Sequence, residues 1–236
     1  LFVDAPLAEG GTVELGDAQT NYLTRVLRVT PGDALLIFNG RQGEHSATIG
    51  EIGKHRCQVI VGRQTRTQHA GPDIDYLFAP LKRARLDYMV QKATELGVRR
   101  MRTVLTEHTM VERINLERMR SNVIEAAEQC GALWLPEVLE PLSLDRLLER
   151  WEAGRTLIFA DEVASKASPI AALSRLAPGP VAVLVGPEGG FSEGERQRLL
   201  KLDFVTPVSL GPRIMRADTA AVAALALVNA VIGDWR

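Results

Sequence analysis

Val181-Ala182-Val183-Leu184-Val185 runs directly into Gly186-Pro187-Glu188-Gly189-Gly190. Five successive apolar residues bounded by a glycine-rich turn read as a strand buried on both faces, and such strands belong to parallel sheets covered by helices. The flanking sequence keeps the matching rhythm. Strand-like runs at 74–79, 101–106, 156–160 and 204–210 alternate with helical patterns at 82–96, closed by Gly97, at 116–130, from near Ser192, and through the Ala-rich stretch 217–232. Alternating strands and helices predict an α/β fold from residue 70 to 236.

The first 69 residues are built differently. Short extended pieces, among them 34–38 and 57–61, are separated by Gly10-Gly11, Pro31-Gly32-Asp33, Asn39-Gly40 and Gly53. Asn-Gly favours a tight turn between strands. One helix is expected over 18–28, with Asp17 as its cap, Tyr22, Leu23, Val26 and Leu27 on its apolar face, and Arg25 and Arg28 outward. The reading is a small β-barrel-like domain, joined through Gln68-His69-Ala70-Gly71-Pro72 to the larger one.

Within the larger domain the glycine loop is the sharpest chemical signal. Glycines let a ligand approach the backbone where a Cβ would intervene, and ligands favour the C-terminal ends of parallel strands. Ser192 followed by Glu195 has capping-box spacing. The loop is neither a dinucleotide fingerprint nor a phosphate loop, and Glu188 disfavours a phosphate. The alternative is a tight structural turn. A second cluster, Leu210-Gly211-Pro212-Arg213-Ile214-Met215-Arg216-Ala217-Asp218-Thr219-Ala220, places two arginines beside a turn, with Asp218 or Thr219 as the cap of the last helix. The arginines suit a phosphate or a developing negative charge, or are solvated surface groups.

Lys82, Arg83 and Arg85, with Arg99, Arg100 and Arg102 beyond the helix, could form a patch on a nucleic-acid backbone, or a solvated face. Glu125 and Glu128 are spaced to share a helix face, and Glu107-His108 follows a strand. Charge excludes a wholesale polycation: the chain carries 28 basic and 29 acidic side chains, and residues 1–69 carry seven of each. Any RNA contact therefore depends on local placement. Two distant cysteines and four scattered histidines give neither a disulfide framework nor a metal set. No long apolar run or signal-like start is present, so a cytoplasmic protein without a membrane segment is expected.

Five ordered segments together resemble one family: Lys82-Arg83-Ala84-Arg85-Leu86-Asp87, Gln91-Lys92-Ala93-Thr94-Glu95-Leu96-Gly97-Val98, Glu125-Ala126-Ala127-Glu128-Gln129, Leu184 to Ser192, and Leu210 to Ala220. They resemble the ribosomal RNA small-subunit methyltransferase E family, within the trefoil-knotted SPOUT methyltransferases. The resemblance spans nearly the whole chain. It implies a PUA-like RNA-binding β-barrel over 1–69 and an S-adenosylmethionine-binding α/β domain with a deep trefoil knot over 70–236. It further implies methylation of N3 of one uridine in the decoding region of 16S rRNA, in the small ribosomal subunit, by a homodimer. On this reading Leu184, Gly186, Glu188, Gly190, Leu210, Gly211, Ile214, Met215 and Thr219 shape the cofactor pocket. Arg216 and Glu188 are the catalytic candidates, and Arg25, Arg28, Lys82, Arg83 and Arg85 the RNA contacts. The chain departs from the family pattern at Met215 and Asp218, and at Gly131-Ala132, where the family often has an arginine.

Overall fold

The computed structural model describes residues 1–110, 113–164 and 168–235. They form two compact units, Leu1–Ala70 with Gly131–Trp134, and Gly71–Cys130 with the rest of the chain from Leu135. The first thus takes in a four-residue segment that sequence reading leaves in the second.

In the first unit, β1 (Thr12–Leu15), β2 (Ala34–Phe38), β3 (Glu44–Ile52) and β4 (Cys57–Arg66) form an antiparallel sheet in the order β1-β4-β3-β2. Leu15, Leu23, Ile37, Ile49, Cys57, Val59 and Val61 pack into its core. Residues 131–134 are held by Arg66 Nη1, which donates to Gly131 O at 3.0 Å, and by Gln68 Nε2, which donates to Leu133 O at 2.9 Å.

Two local expectations fail here. The helix begins at Asp17, with Gly16 as its cap, and runs as α1 (Asp17–Asn21) before widening into a π-helical turn over Tyr22–Val26. There Leu27 N donates to Tyr22 O at 3.1 Å. The wider turn dissolves the predicted stripe: Leu23 is buried, whereas Tyr22, Val26 and Leu27 are exposed. Arg25 and Arg28 do face outward, Arg28 at a φ of 56°. Asn39-Gly40 is not a two-residue turn either. Asn39 is buried and its Oδ1 accepts from Arg41 N and Gln42 N, which rounds off a five-residue loop, 39–43, between β2 and β3.

The second unit is a six-stranded parallel sheet in the order β10-β8-β9-β5-β6-β7. Its strands are β5 (Ile74–Phe78), β6 (Arg100–Leu105), β7 (Glu137–Ser143), β8 (Thr156–Ala160), β9 (Val181–Val185) and β10 (Val205–Val208). Alternation along the central strands divides the core between the two faces. Tyr76, Phe78, Val183 and Val185 pack with helices α2 (Arg83–Glu95), α3 (Leu116–Cys130) and α7 (Ala217–Val231). Leu77, Ala182 and Leu184 pack on the other face with α4 (Leu144–Glu149) and α6 (Glu193–Leu200). Helix α5 (Pro169–Leu173) buries Leu173 on the first face. Asn229 of α7 donates to Leu96 O at 2.8 Å, fastening the last helix to the end of α2.

The N-terminal ends of the strands carry a charge network. Arg155, 2% exposed, joins Asp73, Asp75 and Glu152 and donates to Val181 O. Arg100 grips Asp75 with both Nε and Nη2 and reaches Glu152, Arg99 pairs with Asp73, and Arg102 donates to Glu140 O. The arginine triplet considered for a nucleic-acid patch is therefore engaged inside this unit, because acids on β5 and before β8 lie within reach.

Candidate ligand cleft

The opposite, C-terminal ends of β8, β9 and β10 open into a cleft of about 1010 Å³, counting solvent at its mouth. Parallel strands bring their following loops to one edge, so residues far apart in sequence converge. Gly186, Glu188, Gly190, Leu210, Gly211, Ile214 and Met215 all line this cleft. The two clusters singled out in the sequence are thus two walls of one site.

The glycines have specific reasons to be there. A Cβ on Gly186 would sit 2.6 Å from the Phe191 ring, which itself packs edge-on against Phe159 at 5.1 Å. Gly190, at φ 69°, closes a turn in which its N–H donates to Pro187 O, and Gly211 takes φ 113°. Both positive φ values favour glycine. The loop then enters α6 through the expected capping box: Ser192 Oγ accepts from Glu195 N, and Glu195 Oε2 accepts from Ser192 N. Glu195 is buried, and its other oxygen accepts from Glu107 N at 2.9 Å.

Other predicted residues fall elsewhere. Leu184 is fully buried in the sheet below the cleft. Thr219 is exposed in the first turn of α7, its N–H donating to Asp218 Oδ1. Neither it nor Asp218 caps that helix; Arg216 occupies the cap position with an extended backbone. Its side chain is exposed and makes no ion pair among the described residues. Arg85 is ion-paired with Glu188 and lies 4.0 Å from Asp218, so this expected RNA contact bridges α2, the glycine loop and α7. Lys82 is the exposed cap of α2, whereas the side chain of Arg83 lies outside the described residues. Glu125 and Glu128 are exposed on α3.

Sequence reading missed a third wall. Phe159, Ala160, Asp161, Glu162 and Val163, at the end of β8, also line the cleft, with Arg196 behind them. Buried Asp161 is gripped by Arg196 through contacts of 3.0–3.1 Å. An acidic pair directly after a predicted strand was the available signal. With Arg196 neutralised by Asp161 and Glu188 paired with Arg85, the remaining charged lining is Glu162, Glu193 and Arg213. Apolar walls, close backbone and this acidic surplus suit a ligand that is part apolar and part cationic better than a polyphosphate. Among the described residues no cluster of His, Cys, Asp or Glu is arranged to hold a metal, and no helix is long and apolar enough to cross a membrane.

A parallel-sheet unit with a glycine-walled cleft, preceded by a small β unit, defines the architecture of an RNA methyltransferase: residues 69–229 match the RNA methyltransferase domain and residues 15–62 the RNA methyltransferase PUA domain. Ribosomal RNA small subunit methyltransferase E from Neisseria gonorrhoeae, solved bound to S-adenosyl methionine, superposes with a TM-score of 0.88 at 30% identity, covering 100% of this chain and 98% of that one. A Legionella pneumophila protein, solved with the bound cofactor SAM, gives 0.86 at 29% identity over 99% and 97%. The Rickettsia conorii protein of the same name as the first is 30% identical over 231 residues, 97% of this chain and 94% of its own length. The chain belongs to the ribosomal RNA small subunit methyltransferase E family of SPOUT-like enzymes.

Proposed function

We propose that this protein transfers a methyl group from S-adenosylmethionine to N3 of a uridine in the decoding region of 16S rRNA, in the small ribosomal subunit. The observation that carries the reading is the convergence of the glycine loop and the 210–215 turn on one acid-lined, apolar-walled cleft. The cofactor supplies an electrophilic methyl carbon on a positively charged sulfur, so a covalent enzyme intermediate is unnecessary. The chain has to hold the reactants in line and manage the proton of N3.

In this reading Gly186, Gly190, Leu210, Gly211, Ile214 and Met215 form the cofactor wall and Leu184 supports it from below. Glu188 places negative charge beside the cationic ligand while Arg85 fixes its orientation. Arg216, exposed at the head of α7, supplies positive charge to the uridine carbonyl as negative charge develops. Residues 1–69, through Arg25 and Arg28, and Lys82 and Arg83 in residues 70–236, contact RNA. A deep trefoil knot within residues 70–236 belongs to the same reading. A PUA-like barrel, a homodimer and a cytoplasmic setting complete the reading.

The test is incubation with labelled S-adenosylmethionine and unmodified small subunits, with naked rRNA in parallel, followed by nucleoside analysis. N3-methyluridine at one position is expected, and a ribose-methylated product or another methylated base would reject the N3 assignment. Arg216→Ala should keep its fold and cofactor affinity but lose about 10²–10³-fold in rate; activity near wild type would remove Arg216 from the chemistry.

A further inference from the structure

The loop after β6 reaches the glycine loop from outside the cleft. His108 Nδ1 lies 3.1 Å from Gly189 O and 3.2 Å from Gly190 O, and the His108 Cβ sits 3.4 Å from where a Cβ on Gly189 would be. Carbonyl oxygens only accept, so Nδ1 must carry the hydrogen. In neutral His108 this selects the Nδ1–H tautomer and leaves the lone pair on Nε2. Behind the imidazole a second tie runs from Glu107 N to the buried carboxylate of Glu195, the residue that also closes the capping box of α6. Two adjacent residues at the end of β6 therefore hold both ends of the segment 189–195.

We infer that His108 is a positioning residue for the cofactor: its Nδ1–H clamps the Gly189 and Gly190 carbonyls and so sets the backbone of the glycine loop where the ligand lies against it. The inference rests on the proposed cofactor reading. Gly190 lines the cleft and His108 does not, so the imidazole acts through the loop. A glycine-rich segment has many accessible conformations, and an external clamp reduces what the ligand must order on binding. The imidazolium retains Nδ1–H as well, so the clamp does not depend on a single protonation state. Charged groups around it are Glu107, Glu195, Glu188 with its partner Arg85, and Glu162, whose Oε1 lies 3.1 Å from the position of a Cβ on Gly190.

Three substitutions separate this role from simple packing. Asn places an amide N–H near the position of Nδ1, Gln places one near Nε2, and Ala supplies neither. With the full chain, calorimetric titration with S-adenosylmethionine should show His108→Ala and His108→Gln binding about tenfold more weakly, and His108→Asn within about threefold of wild type. The same ordering is expected in KM for the cofactor, with kcat little changed at saturation. Affinities unchanged in all three variants, or rescue by Gln and not Asn, would overturn the clamp. Independently, ¹⁵N spectra of selectively labelled histidine, with the His108 signal assigned by its loss in His108→Asn, should show protonated Nδ1 and bare Nε2 at neutral-form pH; the opposite tautomer would overturn it without any ligand present. Wild-type protein that shows this tautomer yet binds no S-adenosylmethionine would sink the cofactor reading and leave the clamp itself standing.

Discussion

Gly186 is the residue where cleft shape and core packing meet. Its missing Cβ is replaced by the Phe191 ring, which leans on Phe159 of β8. Gly186→Ala must push that ring, and overpacking of this kind costs about 1–3 kcal/mol. Thermal denaturation should show the midpoint falling by about 2–4 °C for each kcal/mol in a chain of this size, with weaker S-adenosylmethionine binding in the same protein. Sequence reading identified the glycine as a place of close approach, but not what approaches it from behind, because Phe191 is a neighbour whose ring direction depends on Phe159. The same holds at Glu195. Its capping-box role was legible from spacing to Ser192, whereas the bond to Glu107 N required β6 and α6 to end side by side.

At the level of elements, the arginine and acid network across the N-terminal ends of β5, β6, β8 and β9 is testable by pH. Hydrogen bonds from Arg155, and then Arg100, hold the Glu152 carboxyl down at about 2 from its usual 4.5. A depressed carboxyl contributes stability that is complete above the unfolded value and lost as pH falls through the folded one. Denaturant titrations between pH 4.5 and 2 should therefore show wild type losing stability more steeply than Glu152→Gln. An identical slope would mean the network contributes nothing through Glu152. Elements with a strong period were legible: α2, α3, α6, α7 and the central strands. Those missed explain themselves. β7, Glu-Val-Leu-Glu-Pro-Leu-Ser, is an edge strand, where acids and Pro141 are tolerated; α4 and α5 are too short to show a helical period. The π turn after α1 changes the period itself, so a stripe drawn for 3.6 residues per turn misassigned Tyr22, Val26 and Leu27.

For the whole molecule, near balance of 28 basic against 29 acidic side chains means that attraction to RNA must come from placement. Arg25 and Arg28 stand exposed on either side of the π turn's end, without ion pairs among the described residues. If both meet phosphates, changing both to Ala should reduce the slope of log affinity against log salt by about 1.4–1.8. Filter binding of small-subunit RNA from low to moderate salt measures this, and an unchanged slope would move the RNA contact elsewhere. The family could be recognised from ordered motifs, whereas the site residues were only partly legible, since an acidic pair after a strand, Asp161-Glu162, becomes a cleft wall only once β8 is placed beside β9.

The unit that begins the chain is completed by Gly131–Trp134, four residues encoded after α3. Neither unit is a contiguous stretch of gene. A cut at Ala70 would strip the first of a segment its Arg66 and Gln68 hold, and separate Trp134 from the His69 ring that packs edge-on against it. The two units therefore cannot be exchanged as uninterrupted stretches: a chimera that replaces the front of the protein must also replace this tetrapeptide.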